Sequence, residues 1–233
     1  MRLTMLALLG CVSSAALHAS NVSVGNCTAE PLSVYLTSSG LCEIGYYLFG
    51  GFYYLGTSLG SGTALPATDI MVTPIMSSAG PGLEFSANWT GSNNGGSDSE
   101  IGYHMSTVSG LPTIDAATMS FTAAVSGTAD ARLDEYLCPG GDFTGLCSTD
   151  PGDVLHMYLE LGPNAGPPTT SLTFDGVNNI SLLKDVRTYG AGTGVATISE
   201  VTNQFPVPEP VTPSLCLAGL LAMWGFRRYR ASV

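Results

Sequence analysis

The stretch Leu155-His156-Met157-Tyr158-Leu159-Glu160-Leu161 alternates without a break. Leu155, Met157, Leu159 and Leu161 fall on one side of an extended chain, and His156, Tyr158 and Glu160 on the other. A period of two marks a half-buried strand, apolar side inward and polar side toward water. Working outward, the same reading predicts strands over 32–37, 44–49, 52–55, 70–75, 83–89, 101–108, 119–125, 154–161, 171–174, 180–183 and 194–202, with one helical turn over 133–137. Turn-forming runs separate them: Gly80-Pro81-Gly82, Gly91-Ser92-Asn93-Asn94-Gly95-Gly96-Ser97 and Asn164-Ala165-Gly166-Pro167-Pro168. Gly50-Gly51, inside Tyr46-Tyr47-Leu48-Phe49-Gly50-Gly51-Phe52-Tyr53-Tyr54, predicts a hairpin. The expected fold is all-β, an antiparallel β-sandwich of about eight to eleven strands, with jelly-roll and immunoglobulin-like topologies both open.

Composition agrees. The chain has 29 Gly and 14 Pro in 233 residues, and only 11% charged residues, which does not suit a helical bundle. With 45% hydrophobic residues it is no charged disordered chain either. The formal net charge is −11. Every acid except Glu209 lies in the body, against three bases there, Arg132, Lys184 and Arg187. Such a body repels phosphate backbones and argues against nucleic-acid binding.

The two ends have a different chemistry from the body. Met1-Arg2 precedes an uncharged apolar stretch from Leu3 to Leu17, and Ala15, Ala16 and Ala19 supply small residues for cleavage. This reads as a secretory signal peptide over 1–19, cut after Ala19, with Ala16 as the alternative and a lipoprotein box ending at Cys11 as a weaker one. An extracellular body over 20–204 follows. It holds Cys27, Cys42, Cys138 and Cys147, an even set that fits disulfides in an exported chain. Three connectivities exist, and the short loops favour Cys27–Cys42 and Cys138–Cys147. The second pair brackets the turn-forming Pro139-Gly140-Gly141.

The segment 205–233 carries the most specific pattern. Pro206, Pro208, Pro210 and Pro213 favour an extended, exposed chain. An apolar run from Ser214 to Phe226 follows, short against the roughly 20 residues that span a typical bilayer. Arg227, Arg228 and Arg230 form a basic stop that suits the cytoplasmic side, with Trp224 and Tyr229 at the interface. Val207-Pro208-Glu209-Pro210, then the short transmembrane helix, then the arginines, resembles the PEP-CTERM sorting signal of Gram-negative bacteria. The resemblance covers only this tail. It implies secretion, an inner-membrane intermediate, and an exosortase-like membrane enzyme that recognises Pro208, Glu209 and Pro210 and cleaves near them. It further implies a final place at the cell surface or in an extracellular, biofilm-type matrix.

For the body, the leading expectation is a non-enzymatic surface protein. A lectin-like module binding exopolysaccharide is the alternative, with Tyr47 and Tyr53 as candidate sugar contacts, since aromatic faces stack on sugars. Core filling is the plainer account of these tyrosines. A glycan hydrolase with paired carboxylates ranks third. No Gly-x-Ser-x-Gly elbow accompanies the histidines, and neither a His-x-x-x-His spacing nor a phosphate loop occurs, so no catalytic residue is assigned. His156 is expected on the solvent side of its strand. No cofactor or metal is expected, although Asp98 and Glu100, and Asp142, Asp150 and Asp153, are acids of the kind calcium would use.

Overall fold

A computed structural model describes residues 25–37, 41–108, 113–143, 147, 154–162 and 169–206. The predicted signal peptide, the sorting motif, the apolar run of the tail and its arginines, together with Asp150 and Asp153, lie outside the described residues. Among those that are described, no helix is long and apolar enough to cross a membrane.

The strands are β1 (Glu30–Pro31), β2 (Cys42–Ile44), β3 (Tyr47–Gly60), β4 (Met71–Ser77), β5 (Gly80–Ser92), β6 (Gly95–Thr107), β7 (Ile114–Pro139), β8 (Leu155–Leu161), β9 (Thr169–Val177) and β10 (Asn179–Gln204). A helix, α1 (Leu32–Thr37), and a 3-10 turn, Ala67–Asp69, complete the set. Every strand pairing is antiparallel.

Two strands of 26 residues each, β7 and β10, organise the molecule. The first half of β10 pairs with β6 on one side and the second half of β7 on the other. Its second half pairs with β5 and the first half of β7. One layer therefore runs β2-β3-β6-β10-β7-β8, and the other β1-β4-β5-β10-β7-β9. Between them the ribbon turns a corner, where its register breaks between Ala191 and Val195. Glycine is required at this corner. Gly127 and Gly192 have φ of 61° and 57°, and a Cβ on Gly190 would lie 2.5 Å from the Gly194 carbonyl oxygen. The β5–β6 hairpin turns at Asn93-Asn94, whose φ values of 53° and 58° are those of a type I′ turn.

The inward faces of the layers share one core. Phe85 from the second layer meets Tyr103 from the first, ring centroids 5.9 Å apart. Trp89 donates from Nε1 to Ser99 Oγ at 3.1 Å across the same interface. The result is a β-sandwich made from one curled, antiparallel sheet. β8 takes the expected orientation, with Met157 and Leu159 buried and His156 and Tyr158 exposed. Both favoured disulfides form, Cys27–Cys42 and Cys138–Cys147.

Four local expectations are corrected. Residues 32–37 form a helix, not a strand, because Leu32 and Tyr35, three apart on one helical face, are the residues buried. Residues 133–137 are strand, not helix. Leu133, Glu135 and Leu137 all point inward, and the buried glutamate breaks the apolar alternation that would have shown it. Gly50-Gly51 is no hairpin. β3 continues through it with a bulge between Gly50 and Tyr53, and the chain turns instead at Gly45-Tyr46. Residues 180–183 and 194–202 belong to one strand, whose polar middle concealed its continuity.

Candidate ligand-binding face

Because side chains alternate, every second residue of the first layer faces away from the core, and the cross-strand register sets these residues in rows. One row reads Leu55, Glu100, Asp185, Asp134, Tyr158 across β3, β6, β10, β7 and β8. Beside it lies Thr57, Asp98, Arg187, Arg132, Glu160, and on the other side Tyr53, Gly102, Leu183, Tyr136, His156. Gly102 has no side chain at the second position of the third row, so the face dips there between Tyr53 and Leu183.

Rings border this face at both ends. Tyr53 is 48% exposed and Tyr158 43%. Tyr136 stacks on His156 with centroids 4.7 Å apart, and the Arg132 guanidinium lies 5.2 Å from the Tyr158 ring centre. Asp134 accepts from Arg132 and lies 2.8 Å from His156 Nε2, which holds both side chains in place. Asp185 sits between Asp98, Glu100 and Asp134. Burial, a hydrogen bond with Asp98 and the neighbouring charges of Asp98 and Asp134 push its carboxyl up to about 7.

Tyr47 is buried at 3% and belongs to the core, so it is closed to a ligand. The Gly50 bulge explains why: it shifts the alternation, leaving Tyr47 inward and Tyr53 outward on the same strand. Asp98 and Glu100 are on the candidate face, whereas Asp142 is in the segment after β7. Among the described residues no three His, Cys, Asp or Glu side chains converge as a metal site would require. His104 Nδ1 lies 2.6 Å from Ser181 Oγ, which donates to the Gly141 carbonyl at 2.7 Å. The serine proton is directed at that carbonyl, and the pair is a structural tie between β6, β10 and the end of β7.

Sequence reasoning did not find Tyr136, Tyr158, Asp185, Arg132 or Arg187 as parts of one face. The polar side of the 155–161 alternation already contained Tyr158 and His156. The other four strands that complete the face were not identifiable as its neighbours.

No family model matches the chain, and no curated protein matches it. Among solved structures, similar chains include TmCBM61 in complex with β-1,4-galactotriose, at 10% identity and a TM-score of 0.30, covering 66% of this chain and 88% of that one. A family 11 carbohydrate-binding module from Clostridium thermocellum, in complex with a β-1,3-1,4-mixed-linked tetrasaccharide, has 12% identity and a TM-score of 0.24 over 78% of this chain and 99% of its own. The enzymatically active domain of bacteriophage CBA120 tailspike protein 4 has 10% identity and a TM-score of 0.25 over 65% of this chain and 19% of its own. Scores this low assign neither topology nor function to this chain.

Proposed function

We propose that this chain is an exported surface or matrix protein whose β-sandwich body binds a neutral glycan across the outer face of its first layer. The observation that carries this reading is the ordered set of rows, with rings at the borders and charged hydrogen-bonding groups between them. Exposed tyrosine faces offer apolar, rigid area to the C–H faces of sugar rings. Carboxylates and arginines between them match the hydroxyls of a polymer laid across the strands. Five acids, Asp98, Glu100, Asp134, Glu160 and Asp185, outnumber Arg132 and Arg187 on the face, which disfavours a polyanionic chain. Hydrolysis has less support. Glycosidic acid–base pairs stand about 5–10 Å apart on either side of a substrate held in a cleft, whereas Glu100, Asp185 and Asp134 lie side by side in one row of a pleated surface.

Retention of the purified protein on insoluble polysaccharide from the producing cell's matrix tests the binding. Tyr53→Ala and Tyr158→Ala should each weaken retention about tenfold, some 1.4 kcal/mol, without changing the melting temperature. Undiminished retention in both would sink the reading.

Export and tail sorting rest on the sequence of the two ends. The intact mass of protein recovered from the native cell's surface and medium tests them. A chain that starts near Ser20 and lacks everything beyond the Val207–Pro210 region supports sorting by an exosortase-like enzyme. One that ends at Val233 leaves a short membrane anchor instead.

A further inference from the structure

Between the layers lies a polar cluster that the outer face does not use. Lys184, Glu135 and Asn203 are each 0% exposed, and Tyr103 is nearly so. Lys184 and Glu135 are direct partners in the β10–β7 ladder, and Lys184 Nζ contacts Glu135 Oε2. The other carboxylate oxygen, Oε1, accepts from Asn203 Nδ2 at 2.6 Å. Tyr103 donates its hydroxyl to Asn203 Oδ1 at 3.3 Å. Lys184 is in the first half of β10 and Asn203 in the second, so only the corner at Gly190 to Gly194 brings them to the same carboxylate. A salt bridge would need only the lysine and the glutamate. Here one carboxylate touches both an amine and the nitrogen of a carboxamide, and a phenol polarises that carboxamide's carbonyl.

We propose that the folded chain joins Lys184 to Asn203 by an intramolecular isopeptide bond, with Glu135 as the catalytic acid and base. Lys184 Nζ attacks Cγ of Asn203, and the charge that develops on Oδ1 meets the Tyr103 hydroxyl. Nζ gives a proton to Glu135, and Glu135 gives one to Nδ2. The Cγ–Nδ2 bond breaks and ammonia leaves, so one amide bond replaces another without any change of oxidation state or any co-reactant. Burial holds the Lys184 amine well below its ordinary pKa, which favours the neutral, nucleophilic form. Confinement in a closed core supplies effective molarities of about 10⁵ M or more for a well-oriented pair. The bond ties the first layer to the second across the corner and removes a buried amine whose charged form is costly to desolvate. None of this depends on the glycan reading.

The test is the reduced, intact mass of the folded full chain, followed by a tryptic map. The expected result is a loss of about 17 Da, the mass of the departing ammonia, together with no cleavage after Lys184. The peptide running through Lys184 to Arg187 should be linked to the peptide containing Asn203. Succinimide formation at Asn94-Gly95 also releases ammonia, and the map separates the two. Glu135→Gln and Asn203→Ala should keep their full mass and be cut after Lys184. A wild-type chain of full mass, cut after Lys184, overturns the proposal whether or not the variants fold. Undiminished ammonia loss in a folded Glu135→Gln variant overturns the role given to Glu135.

Discussion

The two outward faces of the sandwich are built on the same pair of long strands and have opposite chemistry. On the first layer, β10 and β7 present Leu183, Asp185, Arg187, Arg132, Asp134 and Tyr136. On the second they present Glu200, Thr202, Gln204, Thr118, Ser120 and Thr122. The neighbouring strands keep the difference: Thr73, Glu84, Ser86, Thr169 and Ser171 join the second face, with Met71, 39% exposed, opposite Ser86, and none of these is a ring or a base. Threonine and serine are inexpensive residues for an exposed, pleated surface. A row of rings and paired charges is not needed for that purpose, since exposed ion pairs contribute little to stability. The rings and paired charges that the fold does not require are therefore gathered on the first face, the one proposed for the ligand.

The two layers pack around one shared core. Trp89→Ala removes the ring that reaches from the second layer to Ser99 in the first. It should cost about 3–5 kcal/mol in denaturant unfolding, and should disturb both faces at once. A loss confined to one layer would show that the halves are separable. The next largest effect should come from Cys27→Ser with Cys42→Ser, which frees the N-terminal segment from the edge of the first layer. A bridge of sequence separation 15 contributes roughly 3 kcal/mol by the chain-entropy estimate, read from the same unfolding curves.

The faces themselves are compared by paired substitutions. Thr202→Ala and Thr122→Ala on the second face should change polysaccharide retention by less than about twofold and stability by less than about 0.5 kcal/mol. That sets them against the tenfold loss expected for the tyrosines of the first face. A smaller effect is the dependence on pH. The Asp185 carboxyl rises from 3.8 to about 7 on folding. A raised carboxyl binds its proton more tightly in the folded state, so its stabilisation is full below pH 3.8 and is lost as pH climbs through about 7. Melting temperature followed from pH 4 to 8 should therefore carry a falling contribution that Asp185→Asn removes. An unchanged profile in that variant would show that Asp185 is not the group whose carboxyl is raised.

Much of the strand framework was legible because side-chain alternation is a local signal. The 155–161 segment shows this, as do the Asn93-Asn94 turn region and the short-loop cysteine pairs. The errors came where a local signal was overridden. Glu135 and Lys184 are polar residues at core positions, and each broke an apolar pattern that continued on both sides. Gly50-Gly51 looked like a turn but serves as a bulge, and that bulge decided which of Tyr47 and Tyr53 meets solvent.

The sequence alone determined the all-β class, the acidic body and the positions where strands alternate, since each depends on composition or on residues a few places apart. It also carries the only account of the two ends. The tertiary structure decided that β7 and β10 serve both layers, that five strands combine their outward residues into one face, and that Lys184 and Asn203 meet at Glu135. Those outcomes depend on register and on a corner in the sheet. Register pairs residues far apart in the chain through backbone hydrogen bonds that any residue but proline can make, so the side-chain pattern of a single strand does not reveal its neighbour.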